Sequence, residues 1–233
     1  MDNPHKETPL KYYGTPPDSA SAAVILLHGR RQEVDVAYEL GKRINLENIA
    51  YAMPIAKDKT WYPHSFMSPI ETNEPSLSHA LECVNSVVDD LVDKGFLHSQ
   101  IVFMGFSQGA CLATEYVYRY PRQWGGLIAF TGGLFGPKGT AWKSNLLLER
   151  MPMLFGTSDT DSWVPLERVE ETARLFRAAG AKVEQRIYPQ MDHLVNDDEI
   201  LAARSLLLEI CSRHSKIEKQ KFMEIPKPFK DRS

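Results

Sequence analysis

One serine of the chain lies in a short pattern that suits nucleophilic chemistry. Ser107 is the centre of the pentapeptide GFSQG at residues 105–109, which follows the apolar run 101–104 and precedes a helical pattern at 110–117. A Cβ in place of either glycine would crowd a sharp strand-to-helix turn and hinder the approach of a carbonyl carbon. The pattern therefore predicts Ser107 as a nucleophile. The alternative is a glycine-rich turn with a solvent-exposed serine, because so short a pattern also arises by chance.

A serine hydroxyl is a weak nucleophile at neutral pH until a neighbouring base takes its proton. His193 lies in a short polar loop between the alternating strand pattern 183–187 and the last helical pattern, which is a typical place for that base. Since the imidazole must be neutral to accept the proton, activity should fall at acid pH. The alternative is a loop histidine in solvent. The histidines without such a context are interpreted as surface residues: His5, His64, His79, His98 and His214.

An acid that orients the imidazole is expected in the loop 156–165, which follows the apolar run 153–155. A carboxylate there would bind the far ring nitrogen of the histidine and fix its tautomer. Two aspartates compete for this role. We favour Asp161, which stands four residues before Pro165 at the start of the next helical pattern. Asp159 is then interpreted as a loop-forming or capping residue.

Two backbone N–H groups are needed to hold the negative charge that develops on the substrate oxygen. One should belong to Gln108, directly after the serine at a helix N-terminus. The other should come from Arg30, in the loop after the first long apolar run. His28 is then structural and not a base. The Arg30 side chain either contacts the carboxyl side of a substrate or is a solvent-exposed arginine.

Aromatic residues suggest where a substrate would bind. The segment 61–66 is aromatic, contains proline and has neither helical nor strand periodicity. This segment, and within it chiefly Trp61 and Tyr62, is predicted to form a wall of the substrate pocket, and packing under the sheet edge is the alternative. Trp163, beside the expected acid, has the same two interpretations. The sequence contains no metal-binding or phosphate-binding pattern, so we expect no metal and no cofactor.

Apolar runs of strand length alternate with helical patterns along the chain, which predicts βαβ units and a parallel sheet covered on both faces. In such a sheet, side chains that follow the strands meet at one edge. The predicted strands are 24–27, 49–53, 101–104, 127–130, 153–155 and 183–187, and the predicted helices are 76–94, 110–117, 165–179 and 200–210.

Length and composition restrict the domain organisation and the class of protein. The chain has 233 residues, of which 43% are hydrophobic, and no linker-like stretch, so one domain over residues 1–215 is expected. Residues 216–233 are basic and polar, which predicts a solvated tail or, alternatively, a docking segment for another subunit. A net charge of −3 argues against a nucleic-acid-binding protein.

The termini and cysteines bear on location. The first residues are polar and no apolar run approaches the length of a membrane span, so no integral membrane association is expected. The three cysteines, Cys83, Cys111 and Cys211, lie in helical patterns and are predicted to be reduced, buried side chains. These features together favour a cytoplasmic protein.

Four motifs occur in this order along the chain: Leu27-His28-Gly29, GFSQGA at 105–110, Asp161 with Val164-Pro165, and Tyr188-Pro189 with Met191 and His193. In this order they resemble the motifs of the phospholipase/carboxylesterase family of the α/β hydrolases, which includes acyl-protein thioesterases and bacterial carboxylesterases. The resemblance spans about residues 20–212. It implies an α/β fold with a single domain, a mostly parallel sheet and no large lid. It also implies a cofactor-free serine hydrolase with Ser107 as nucleophile, Asp161 as acid and His193 as base.

The chain departs from the family pattern at three places. Arg30-Arg31 stands where members often have Leu-Gly, Phe155-Gly156 where they usually have His-Gly, and Asp192 where a glycine is common. The first departure affects the loop that should supply an oxyanion donor. The third adds a carboxylate beside the expected base.

The leading functional prediction is a carboxylesterase that acts on a small-molecule ester with a short or medium acyl chain. Acyl thioesterase or lysophospholipase activity is the nearest alternative, because the same groups would attack those bonds. A ligand-binding protein on a hydrolase scaffold is an alternative of another class, since a fold does not fix a function. Compact members of the family often pair, so a homodimer is compatible with the resemblance.

Overall fold

The core of the molecule is a seven-stranded sheet with the strand order β1-β3-β2-β4-β5-β6-β7. The computed structural model describes residues 3–143 and 147–223, with side chains described as far as Arg213. Strand β1 runs antiparallel to β3, and every other neighbouring pair is parallel. The strands are β1 Lys11–Gly14, β2 Ala22–Leu27, β3 Ile49–Met53, β4 Ile101–Phe106, β5 Gly126–Phe130, β6 Pro152–Ser158 and β7 Lys182–Tyr188.

Helices cover both faces of the sheet. Helices α3, α4 and α5 pack on one face, and α1, α2 and α6 pack on the other. In the described part of the chain, none of the helices is both long enough and apolar enough to cross a bilayer. The helices are α1 Val34–Ala37, α2 Glu39–Ile44, α3 Ser76–Asp93, α4 Gln108–Arg119, α5 Leu166–Ala178 and α6 Asp197–Met223.

The interior strand β2 shows why the apolar runs form this sheet. All six of its residues are buried, because helices cover both of its faces. Successive side chains point to opposite faces of a strand, so Val24 packs with α1, α2 and α6 and Ile25 packs with α3 and α4. A strand covered on both faces, such as β2, therefore needs apolar residues at successive positions and not only at every second one. The predicted α/β fold is confirmed.

Several elements differ from their prediction. β1 contains no apolar run, because it is a four-residue edge strand with only partly buried side chains. α1 and α2 have four and six residues, too few for a helical period to be detected. α6 is longer than the predicted 200–210 and continues through residue 216 without a break. Residues 224–233 lie outside the described residues, so the tail stays a prediction.

Two side-chain environments also differ from the expectation. His5 was expected at the surface, but its side chain is buried and its Nδ1 accepts a hydrogen bond from the N–H of Lys57 at 3.0 Å. Burial lowers the pKa of His5 to about 4. Cys83 and Cys111 are buried in α3 and α4 as expected, whereas Cys211 in α6 is only half-buried.

The parallel strands bring the predicted site residues to one edge of the sheet. Ser107 directly follows β4, and His28 directly follows β2. Asp161 comes three residues after the end of β6, and His193 comes five residues after the end of β7. Because the carboxyl ends of parallel strands lie at the same edge, the topology alone places these four residues near one another.

Candidate active site

Ser107 occupies the tight turn between β4 and α4. Its φ of 55° and ψ of −119° lie in a region that non-glycine residues rarely adopt, and its N–H donates to the carbonyl of Phe130 at 3.0 Å. The flanking glycines permit close backbone packing around the turn. A Cβ at Gly109 would lie 2.0 Å from the carbonyl oxygen of Leu27, and one at Gly105 would lie 2.4 Å from the carbonyl carbon of Gly109. A side chain at either glycine would therefore collide with the backbone around the turn.

The imidazole of His193 lies between the serine and an aspartate. Its Nε2 is 2.8 Å from Oγ of Ser107, and its Nδ1 is 2.6 Å from Oδ2 of Asp161. With a carboxylate at Nδ1, the favoured tautomer carries its proton there and leaves Nε2 free to accept the hydroxyl proton. The ring of Phe106 packs against the imidazole with centroids 4.9 Å apart. The three residues are thus arranged for proton transfer from the serine.

The carboxylate of Asp161 is held by the backbone of its own loop. Oδ1 accepts hydrogen bonds from the N–H groups of Trp163 at 2.8 Å and Val164 at 2.9 Å, while Oδ2 faces the imidazole. The side chain is fully buried, whereas that of His193 is 22% exposed. Such a fixed, desolvated carboxylate can orient the imidazole and stabilise the imidazolium that forms after proton transfer.

Asp159, the other candidate acid, makes a different contact. Its Oδ1 accepts a hydrogen bond from the N–H of Gln190 at 2.7 Å, and its own N–H donates to the carbonyl of Tyr188 at 3.3 Å. Both partners belong to the segment that leads from β7 to His193. The interpretation of Asp159 as a loop-forming residue is confirmed, and the structure brings Asp161, not Asp159, to the imidazole.

Arg30 and Gln108, the residues predicted to supply the oxyanion donors, both line the cavity beside Ser107. Within the described residues, the N–H groups of Arg30 and Gln108 have no hydrogen-bond acceptor. Their neighbours are engaged: the N–H of Gly29 donates to Oε1 of Gln32 at 2.8 Å, and that of Arg31 donates to the carbonyl of Lys59 at 2.7 Å. Two unused donors next to a nucleophile are what the stabilisation of an oxyanion requires.

Arg30 is exposed, as one of the two expectations had it, but its side chain does not contact solvent alone. Its guanidinium donates to three consecutive backbone carbonyls: Nη2 to Tyr62 and to His64, both at 2.9 Å, and Nη1 to Pro63 at 2.8 Å. The backbone of residues 62–64 thus holds the guanidinium in place. No local pattern indicates this contact, because Arg30 lies more than thirty residues before its partners.

A cavity of about 550 Å³ opens beside Ser107 and His193. Tyr62 and Trp163 line it as predicted, and the Trp163 side chain is largely exposed at its rim. Trp61 does not line it. That residue is fully buried and donates from Nε1 to the carbonyl of His28 at 2.9 Å, so its role is packing under the sheet edge. His64 and Phe66, from the segment 61–66 that was predicted as a wall, also line the cavity. Further lining residues come from other segments of the chain and were not predicted: Gln32, Phe106, Cys111 and Val164.

His28 is a buried structural residue, as expected. Its Nε2 accepts a hydrogen bond from the N–H of Ala56 at 3.0 Å, which fixes the loop after β3. Burial lowers the pKa of His28, so the ring stays neutral. Among the described residues, no group of three or more His, Cys, Asp or Glu side chains is arranged to bind a metal ion.

Comparison with known proteins agrees with this geometry. Residues 14–210, most of the chain, match the family model described as Phospholipase/Carboxylesterase. The chain belongs to this family. The resemblance inferred from the sequence motifs is thereby confirmed, and the fold is that of an α/β hydrolase.

A solved structure and two curated proteins show how the chain relates to other members of the phospholipase/carboxylesterase family. A phospholipase/carboxylesterase from Dyadobacter fermentans is 37% identical, with a TM-score of 0.81 over 86% of this chain and 96% of that one. A probable carboxylesterase SOBER1-like of Arabidopsis thaliana is 26% identical over 69% of this chain and 60% of its own length. Acyl-protein thioesterase 1 of Saccharomyces cerevisiae is 28% identical over 52% of this chain and 55% of its own length. The match thus spans little more than half of each curated relative.

Proposed function

We propose that this member of the phospholipase/carboxylesterase family is a serine carboxylesterase that hydrolyses short- to medium-chain carboxylic esters. The observation that carries the proposal is the hydrogen-bonded line from Ser107 through His193 to Asp161, beside two backbone N–H groups without acceptors. A nucleophile, a base, an acid and an oxyanion site are the groups that acyl transfer by a serine hydrolase uses.

The distances at the site support a mechanism through an acyl-enzyme. Oγ of Ser107 attacks the ester carbonyl carbon as Nε2 of His193 takes the hydroxyl proton, and Asp161 stabilises the imidazolium. The N–H groups of Arg30 and Gln108 bind the oxyanion of the tetrahedral intermediate. The imidazolium then protonates the leaving alcohol, which leaves an acyl-enzyme. Water deprotonated by the same imidazole attacks the acyl carbon, the bond from this carbon to Oγ of Ser107 breaks as the imidazolium returns the proton to Oγ, and the acid is released.

The size and chemistry of the cavity support a short or medium acyl chain. Its volume of about 550 Å³ falls in the range of small-molecule sites, and aromatic rings make up much of its wall. Cys111 lines it one helical turn after Ser107, and burial raises the pKa of this thiol to about 12, so the thiol is neutral at physiological pH. The cavity therefore suits an uncharged, apolar acyl group.

Thioesterase activity is the second candidate, and the similarity to the yeast acyl-protein thioesterase supports it. The same serine, base and oxyanion site would attack a thioester carbonyl. A series of matched esters and thioesters, from acetyl to dodecanoyl, separates the two activities by kcat/KM at each chain length. A higher kcat/KM for the thioesters along the whole series would contradict the ester preference proposed here.

Labelling with a fluorophosphonate tests whether the site is catalytic. The parent chain should be labelled, and Ser107→Ala should not be. Ser19→Ala, which removes an exposed hydroxyl beyond the site, is the control and should be labelled like the parent. A folded parent that is neither labelled nor active on any ester or thioester would contradict the proposal and favour the ligand-binding alternative.

The cytoplasmic location is part of the same proposal. Cys83 and Cys111 are buried thiols without a disulfide partner, which suits a reducing compartment. Fractionation of cells that express the full chain, followed by immunodetection, would test it, and recovery in the extracellular fraction would contradict it.

A further inference from the structure

The side chains of the two proposed oxyanion residues meet at a single backbone oxygen. Nη2 of Arg30 and Nε2 of Gln108 both donate to the carbonyl of Tyr62, at 2.9 Å and 2.8 Å. These residues lie on different segments, one after β2 and the other at the start of α4. One oxygen of the cavity wall therefore joins the two segments that carry the free N–H donors.

Further contacts make this junction specific. Oε1 of Gln108 accepts a hydrogen bond from the N–H of Trp61 at 3.0 Å, so the amide pairs with the backbone on both sides of the Trp61–Tyr62 peptide. The guanidinium also binds the carbonyls of Pro63 and His64. A planar guanidinium presents several donors in a fixed geometry, which a single ammonium group does not reproduce. The segment 61–64 is thus fixed against both oxyanion residues.

We propose that the Arg30 side chain is a positioning residue, which sets the oxyanion site by fixing its own backbone to the carbonyls of residues 62–64. This proposal rests on the proposed function. The contribution of an oxyanion donor depends on its being oriented before the reaction, and small displacements in an active site reduce the rate strongly. The guanidinium supplies that orientation from outside the reacting atoms.

Substitution separates this role from that of the donor itself. The proposed donor is the backbone N–H of residue 30, which every substitution except proline preserves. Arg30→Ala therefore leaves the N–H in the chain and removes only the side chain that orients it. Arg30→Lys keeps a cation and can form only part of the contact with the three carbonyls.

Steady-state kinetics on a neutral ester provide the first measurement. We expect Arg30→Ala to lower kcat about tenfold with KM changed less than about twofold. The variant should lose stabilisation of the oxyanion, which forms only in the transition state and the tetrahedral intermediate, and should keep its substrate binding. Arg30→Lys should recover part of the rate, and guanidinium ion at low millimolar concentration should partly restore Arg30→Ala. Arg174→Met, an exposed arginine of α5, is the control for loss of charge and should behave as the parent.

A double-mutant cycle tests the shared carbonyl. If Arg30 and Gln108 act through the same oxygen, the effects of Arg30→Ala and Gln108→Ala on kcat should be less than multiplicative. The rate of fluorophosphonate labelling should fall in parallel with kcat, because the phosphoryl oxygen occupies the same site. Thermal unfolding of each variant distinguishes these effects from a loss of folding.

The outcomes separate this inference from the proposed function. A parent that is labelled and active, with an Arg30→Ala variant of unchanged kcat, would overturn the positioning role alone. An increase of KM restricted to acidic substrates would also overturn it, since the side chain would then bind substrate. A folded parent that is neither labelled nor active on any ester or thioester would overturn both proposals.

Discussion

The carboxylate of Asp159 accepts a hydrogen bond from the backbone N–H of Gln190 at 2.7 Å, which links the loop of Asp161 to the loop of His193. Gln190 has a φ of 55°, a left-handed conformation that costs free energy in a residue with a Cβ. The hydrogen bond offsets part of this cost. Asp159 thus fixes the start of the loop that presents the proposed base, without contacting the imidazole.

This arrangement predicts different outcomes for substitutions at the two aspartates. Asp161→Asn should lower kcat by several orders of magnitude, because an amide cannot support the imidazolium or fix the tautomer. Asp159→Asn should retain most of the activity, since its side-chain carbonyl still accepts from Gln190. Asp159→Ala should lose about tenfold by loosening the loop. Ester kinetics on the three variants measure this, and a large loss in Asp159→Asn would contradict the assignment.

The turn at Ser107 predicts a large loss of stability from a small substitution. Gly109→Ala would place a methyl group 2.0 Å from the carbonyl oxygen of Leu27, a backbone atom that cannot move without displacing β2. We expect a loss of more than about 4 kcal/mol in the free energy of unfolding, measured by urea denaturation. Gly95→Ala is the control, because Gly95 has a φ of 94° but open space around it. It should lose only about 1 kcal/mol. Equal losses in the two variants would contradict the steric argument.

The apolar strands and the three proposed catalytic residues could be predicted from the sequence because their signals are local. β2 is a continuous apolar run, and Ser107, Asp161 and His193 each lie in a short motif after a strand. The order of the motifs and the parallel topology then determine that they meet at one edge.

The surroundings of the site could not be predicted, because they depend on contacts between segments distant in the chain. Trp61 and Tyr62 are adjacent aromatic residues, yet the first is fully buried beneath the site and the second lines the cavity. Likewise, nothing in the sequence near Arg30 indicates that its guanidinium binds three carbonyls of another loop. Only the folded chain determines which face of a loop packs inward.

A buried arginine fixes the loop that follows β5. The guanidinium of Arg168 donates from Nη1 to the carbonyls of Leu134 at 2.9 Å and Gly136 at 2.7 Å, and from Nη2 to that of Pro137 at 3.1 Å. Its side chain is only 1% exposed, and the ring of Trp142 lies 4.9 Å from Cζ. Nε of Arg168 also donates to Oε2 of Glu171 at 3.1 Å. The charge is thus compensated by backbone carbonyls, the face of Trp142 and the carboxylate of Glu171.

Replacing this arginine should destabilise the protein strongly. Arg168→Met leaves three carbonyls without their donor in a buried site, so we expect a loss of about 3 kcal/mol or more in the free energy of unfolding. Lys138→Met, which breaks the exposed ion pair with Glu167, is the control and should lose less than about 1 kcal/mol. Urea denaturation of both variants measures the difference. A loss of similar size in both would show that the buried contact contributes no more than the surface pair.

Glu199 is a buried carboxyl at the start of α6, behind the loop of His193. Its Oε2 accepts a hydrogen bond from the N–H of Asn196 at 2.9 Å, while Oε1 is buried without a partner among the described residues. A Cβ at Gly156 would lie 2.0 Å from Oε1, so this oxygen packs directly against β6. Burial raises the pKa of Glu199 to about 7, against an opposing effect of the Asn196 hydrogen bond.

This shift determines the sign of a pH effect on stability. Since the folded-state pKa lies above the unfolded value of 4.5, the folded chain holds the proton more tightly, and stability is lost as pH rises from 4.5 through 7. His5 has the opposite effect. Its pKa is lowered from 6.5 to about 4, so the unfolded chain binds the proton more tightly and stability is lost as pH falls from 6.5 to about 4. The parent should therefore show a partly cancelled pH dependence between these values.

Glu199→Gln should reveal the carboxyl's contribution. The amide cannot ionise, so the free energy of unfolding of the variant should rise relative to the parent by about 3 kcal/mol between acid pH and pH 8. Urea denaturation at several pH values in that interval measures the difference. Glu170→Gln, which replaces an exposed carboxyl of α5, is the control and should follow the parent at every pH. A Glu199→Gln curve that runs parallel to the parent would show that Glu199 titrates alike in the folded and unfolded chains.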